Sequence, residues 1–150
     1  MQILQCVLVA AIAVFQSSAD YVLVRSVVDG QTIVVSNVGR VRLIGINTAA
    51  PFDREAREKL AGLVLNRWVR LEHDDAGRGT YNRRRAYVLT GDGTLVNAVM
   101  VREGLARVSA RTPLTRLAEL QRAEAEAQAF RRGLWGRTPH IPRPRYNKRP

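Results

Sequence analysis

Cysteine, histidine and lysine are almost missing from this chain of 150 residues. The lone cysteine, Cys6, excludes an intrachain disulfide, so stability has to come from a packed core. His73 and His140 are the only histidines, and neither sits at a metal-ligand spacing from another histidine or from a cysteine. A zinc-type site is thereby excluded, and both imidazoles are expected in solvent. No internal repeat is present. Only Lys59 and Lys148 are lysine among 24 basic residues, set against 13 acidic ones, for a formal charge of +11. Arginine's planar fork takes phosphate oxygens two at a time, so an arginine-dominated excess suits a polyanionic partner. The competing reading is that arginine reflects genomic base composition and the charge only keeps the chain soluble.

Residues 1–19 carry no charged side chain, and Ile3 to Phe15 is nearly all apolar. That stretch is too short to span a bilayer comfortably. Ser17-Ser18-Ala19 places small residues just ahead of Asp20, as a signal peptidase requires. Residues 1–19 therefore read as a secretory signal, although a basic residue ahead of the apolar stretch is missing; an uncleaved anchor is the alternative. Cys6 has no apolar segment before it and does not read as a lipoprotein site. Cleavage after Ala19 removes Cys6 and leaves all of the positive charge on a secreted or periplasmic chain with no membrane span, expected to be monomeric.

Valine-rich Tyr21–Val28, the tight-turn pair Asp29-Gly30 and the run Ile33–Val35 predict two strands joined by a hairpin. Ser36–Gly39 turns again into a third strand, Val41–Ile46, apolar on both faces except at Arg42, as in a closed barrel. A helix is expected from Asp53, its N-cap, with Ala56, Leu60, Leu63 and Val64 at helical spacing. Trp68–Glu72 returns to strand, His73–Asn82 is a polar loop, and Arg85–Leu89 is a fifth strand. A short helix covers Leu95–Arg102 and ends at Glu103-Gly104. The last helix is expected to start at Thr112-Pro113 and run to about Arg131, burying Leu114, Leu117, Leu120 and Phe130. Gly133 reads as its cap, with Trp135 as an apolar anchor beyond it. From Arg137 onward four prolines and five basic residues, with no acid, predict a disordered tail. The expected architecture is α+β, mainly β: a five-stranded barrel of the oligonucleotide-binding (OB-fold) kind with three helices over 20–136.

Eight segments in order then carry a resemblance. They are Val27–Ile33, Val41–Thr48, Pro51–Ala56, Val69–Glu72, Tyr81–Val88, Asp92–Asn97, Val101–Ala106 and Arg132–Trp135. Together they resemble the thermonuclease, or staphylococcal nuclease-like, family. That resemblance implies a calcium-dependent phosphodiesterase acting on DNA and RNA. Its metal is held by two aspartates and a backbone carbonyl, a glutamate prepares water, and two arginines hold phosphate. Calcium wants several oxygen ligands, preferably anionic, and a general base must accept a proton.

Carried over by position, the first calcium aspartate is Gln31 and the second is Asn47. Thr48 keeps its backbone carbonyl, the general-base glutamate is Ala50, and the two phosphate arginines remain as Arg42 and Arg83. A displaced carboxylate at Asp53 or Glu55 is weighed against ordinary helix-start roles for both. Arg42 in an apolar strand needs a partner, either internal, such as Glu72, or external, such as phosphate. Arg84 is expected to point away from its two arginine neighbours.

The leading expectation is a secreted pseudoenzyme that binds nucleic acid (single-stranded DNA or RNA) or another polyanion through its arginines, with no cofactor. An active nuclease using Ca2+ in a rearranged site is the first alternative, and a protein-binding module of the cell envelope is the second.

Overall fold

The first strand, β1 (Tyr21–Asp29), is long enough to serve two neighbours, and this closes the sheet. In this computed structural model, which describes residues 21–74, 84–111 and 113–136, Tyr21–Leu23 of β1 pair with β5 (Trp68–Glu72). Val24–Asp29 pair instead with β2 (Thr32–Val35), through register shifts on either side of the Ser26–Val27 pairs. Such bulges bend and twist a strand, which is what barrel closure needs. The order β1-β2-β3-β6-β5 forms a closed barrel, with β3 (Gly39–Leu43) and β6 (Arg84–Leu89) parallel and the other neighbours antiparallel. Its interior is filled by Val24, Ile33, Val41, Val69, Val88 and neighbours, all buried.

The expected third strand, Val41–Ile46, is not continuous. β3 stops at Leu43; Ile44 and Gly45 turn, and Ile46–Asn47 (β4) pairs with Arg107–Val108 (β7). Gly45 adopts φ +77°, and a Cβ there would lie 2.6 Å from Leu120 Cδ1. The chain is apolar on both faces here because helical cover packs against its outer side, not because the strand continues.

Helix α1 (Asp53–Val64) buries Ala56, Leu60 and Val64, while Leu63 is half-buried. Asp53 is not its N-cap: Phe52 holds that place without a side-chain bond, and Asp53 and Glu55 lie in the first turn. There their charge complements the helix dipole. Helix α2 (Val96–Arg102) is fixed by the fully buried Asn97. Its Nδ2 donates to the carbonyls of Ile44 (2.9 Å) and Ala86 (3.4 Å), and its Oδ1 accepts from Val88 N–H at 2.9 Å. One amide thus joins α2 to β6 and to the end of β3.

Helix α3 (Leu117–Ala129) begins later than Pro113. The amides of Thr115 and Arg116 are taken by Asp74 Oδ2 (2.7 Å) and Tyr87 Oη (3.2 Å), so tertiary acceptors replace a first helical turn. Leu120, Ala123 and Ala127 form the buried stripe of α3, but Phe130 is exposed, with the Arg132 guanidinium 4.9 Å from its ring centroid. The C-cap is Phe130, and the left-handed residue that ends the helix is Arg131 (φ +52°), not Gly133. Arg132 N–H reaches the Ala127 carbonyl (2.9 Å) and Arg131 N–H that of Gln128 (3.1 Å), the Schellman pattern. Gly133 instead packs backbone to backbone on Gly104, and Leu134 N–H donates to the Gly104 carbonyl at 2.8 Å.

The expectations for the signal at 1–19, for Tyr81-Asn82-Arg83, for Thr112 and for the tail from 137, with His140, lie outside the described residues. None of the described helices is long and apolar enough to cross a membrane.

Candidate anion-binding site on the barrel face

Registers across three strand pairs set Asp29, Thr32, Arg42 and Arg85 in one row running over β1, β2, β3 and β6. Residues facing one another across neighbouring strands share a face, and so do residues two apart on one strand. Arg40 therefore shares the outer face with Arg42. Val28, Asp29, Thr32, Arg40 and Arg42 line one small pocket of about 110 Å³. Arg84 pairs with the buried Val41, so it lies on the other face of β6 from Arg85, as the strand alternation predicts. Both are exposed.

The loop carrying Gln31 is pinned by close packing at Gly30. A Cβ on that glycine would lie 2.5 Å from Ala56 Cβ and 2.8 Å from Thr48 Cγ2. Only glycine lets the β1–β2 turn sit this close to α1 and to the segment after β4. Gln31 is thereby brought against Thr48: its Oε1 accepts the Thr48 N–H at 3.1 Å, while its own N–H donates to Asp29 Oδ1 at 2.9 Å. Arg57 Nε donates to the Val27 carbonyl at 3.3 Å, which ties α1 to β1 beside the same turn.

Arg42 does not pair with Glu72. That carboxylate is held by both ends of the Arg116 guanidinium at 3.0 Å, with Arg70 at 3.8 Å. The bond from Arg116 holds Glu72 below the usual carboxylate pKa, against a smaller opposing effect of burial. Arg42 instead donates to the neutral Asn47 Oδ1 at 3.2 Å. Among the described residues no carboxylate lies within ion-pair distance of it. Gln31 bonds Thr48 and Arg42 bonds the adjacent Asn47, which places the four together, and Ala50 stands exposed nearby in sequence with only a methyl group to offer.

This donor set is a poor fit for calcium. The amide oxygens of Gln31 and Asn47 are neutral, and each already accepts an internal hydrogen bond. No group of three or more His, Cys, Asp or Glu placed to hold a metal occurs among the described residues. Asp53 and Glu55 are exposed in the first turn of α1, and neither lines the Arg42 pocket. Arg40 and Arg42 beside the Thr32 hydroxyl are complementary to a phosphate group, while Asp29 sets one negative charge against them in the same pocket.

Two members of this face went unread in the sequence. Arg40 carried a usable signal, since it lies two residues before Arg42 in a strand. Asp29 was read only as a turn former, and it turns out to line the arginine pocket as well. His73, expected in solvent, is exposed, but its Nδ1–H donates to the Arg85 carbonyl at 2.9 Å and so steadies the start of β6.

The scaffold that carries this arginine-lined face is a closed five-stranded mixed barrel with three helices. A family profile described as staphylococcal nuclease homologue matches residues 32–137. The chain is 34% identical over 128 residues to a thermonuclease from Staphylococcus intermedius, covering 77% of this chain and 76% of that protein. It is 31% identical over 122 residues to a thermonuclease from Staphylococcus hyicus, covering 73% and 72%. A prophage-derived endonuclease, YokF, from Bacillus subtilis is 31% identical over 129 residues, 76% of this chain and 43% of that protein. The chain belongs to the staphylococcal nuclease homologue family.

Proposed function

We propose that this protein binds single-stranded nucleic acid, or another polyanion, through the Arg42 face and has lost most or all phosphodiester cleavage. The observation that carries the reading is Arg42 itself. Arg42 is a partly exposed arginine whose side-chain partner among the described residues is a neutral amide oxygen, so its charge is left for an external anion. Arg40 and Arg85 on the same face add to that field, and the chain's charge of +11 works in the same direction. Arg83 is assigned to the same phosphate on the strength of the family pattern. Cleavage is a separate matter. A missing general base commonly costs about 10²–10⁴ in rate, and Ala50 supplies none. No metal cofactor is part of this reading. Secretion or periplasmic export follows from residues 1–19, and the working unit is a monomer.

The presence of Asp29 in the arginine pocket favours a second reading, a phosphodiesterase with a rearranged calcium site built around that carboxylate. One assay separates the two. Single-stranded DNA and RNA are incubated with the purified protein, with and without calcium, beside an Arg42→Ala, Arg83→Ala control. Binding that weakens steeply with salt, without product above the control, is the expected outcome. Turnover abolished by a chelator would overturn it. In the same assay the triple variant Gln31→Asp, Asn47→Asp, Ala50→Glu is expected to gain calcium-dependent cleavage while each single change gains little, because metal, base and arginines act as a unit.

A further inference from the structure

At the other end of β1 the barrel presents aromatic rings to solvent. Trp68 is 60% exposed and Tyr21 is 46% exposed. Their positions follow from register: Tyr21 faces Arg70 and Leu23 faces Trp68 across the β1–β5 pair, whereas Val22 faces the fully buried Val69. Val69 points into the barrel, so Tyr21, Leu23, Trp68 and Arg70 all share the outer surface. Trp68 is also one wall of a groove of about 260 Å³, lined further by Leu63, Arg67, Thr90, Asp92 and Thr94. Asp92 is the acid on this rim, and its Oδ1 already accepts from the Thr90 hydroxyl and from Thr94 N–H. Among the described residues the acid nearest Arg70 is Glu72, at 3.8 Å, and Glu72 is already committed to Arg116.

We propose that Trp68 and Tyr21, with Arg67 and Arg70, form a second nucleic-acid contact: a stacking platform for unpaired bases of a strand whose phosphates are held at the Arg42 face. The inference rests on the functional reading above and extends it to the form of the ligand. Ring faces interleaved with guanidinium groups match a polymer that alternates aromatic bases with phosphates. A duplex is disfavoured because its bases are stacked on one another and offer no free ring face. From Tyr21 to Asp29 is eight residue steps along β1, roughly 26 Å at most, and Arg42 lies two strands further round the barrel, on β3. A strand that touches both contacts must be several nucleotides long, and a dinucleotide is too short.

The test uses the full chain, with dinucleotide and dodecamer oligothymidylates as probes and fluorescence anisotropy as the readout. Trp68→Ala is expected to weaken dodecamer binding by about five- to tenfold and to leave dinucleotide binding unchanged. Trp68→Phe, which keeps a ring, is expected to recover most of the loss. Trp68 and Trp135 are the only tryptophans. In a Trp135→Phe background, Trp68 emission should therefore be quenched as the dodecamer saturates. Equal dodecamer affinity for Trp68→Ala and the parent, or an unquenched indole at saturation, overturns the platform while leaving the Arg42 reading intact. A Trp68-dependent dimer seen by light scattering without oligonucleotide overturns it in favour of a self-association face. If the parent binds neither probe, the Arg42 reading fails and the platform falls with it.

Discussion

Two groups of polar side chains, one inside the fold and one on its face, are treated in opposite ways. Asn97 and Tyr87 are buried, and their polar atoms find partners within the chain. Asn97 serves three backbone groups, and Tyr87 Oη donates to Asp74 Oδ2 at 3.1 Å while accepting from Arg116 N–H. Burial is the main reason the Tyr87 hydroxyl pKa is raised, with the Asp74 bond adding to it and the Arg116 amide opposing. On the outer face, Arg40, Arg42 and Arg85 gather positive charge that no carboxylate within ion-pair distance answers among the described residues. A buried polar group without a partner costs about 1–3 kcal/mol, so scaffold groups must close on themselves. A guanidinium at the surface escapes that constraint because water solvates it, and it stays available to a ligand.

The contrast breaks most visibly at Asn97. Asn97→Ala removes the partner of the Val88 amide and of the Ile44 carbonyl, while the Ala86 carbonyl keeps the Ile44 N–H, and a loss of about 3 kcal/mol is expected from urea unfolding. Oligonucleotide affinity per folded molecule should not change. Arg42→Ala is the converse: binding about five- to tenfold weaker, a salt slope lower by about one, and an unfolding free energy within about 0.5 kcal/mol of the parent. A large stability loss there would mean that Arg42 belongs to the scaffold after all.

Smaller effects sharpen the contrast. Glu72 is held below its ordinary value of 4.5 chiefly by Arg116. Its contribution to stability is therefore complete above pH 4.5 and is lost as pH falls through the lower folded-state value. Acid titration of unfolding should show that loss, and Glu72→Gln should flatten it. Glu72 and Arg116 are partly exposed, so solvent screening limits the effect to about 1 kcal/mol or less. Smallest is Arg131→Gly. Relief of the φ +52° cap conformation, partly offset by added freedom in the unfolded chain, should raise stability by about 0.5 kcal/mol in thermal melts.

The barrel, the order of its strands along the chain and the uncharged residues Gln31, Asn47 and Ala50 were legible because each is written in local pattern. Valine-rich runs, an Asp-Gly turn and residue types at fixed offsets need no knowledge of distant contacts. The start of α3 was not legible. Pro113 is a good local start signal, but Asp74 and Tyr87, far away in sequence, take the amides that a first turn would use. The break after Leu43 was hidden for a related reason, since burial by α3 and burial inside a sheet leave the same apolar run.

The sequence by itself determined the family, the strong positive charge and the uncharged residue types at Gln31, Asn47 and Ala50. Only the tertiary structure decided who partners whom. Glu72 goes to Arg116, Arg42 is left with an amide oxygen, and Arg40 and Asp29 meet in one pocket. The physical reason is reach. Hydrogen bonds and ion pairs form over about 3 Å, and which groups come that close is fixed by strand register and helix packing between residues far apart in the chain.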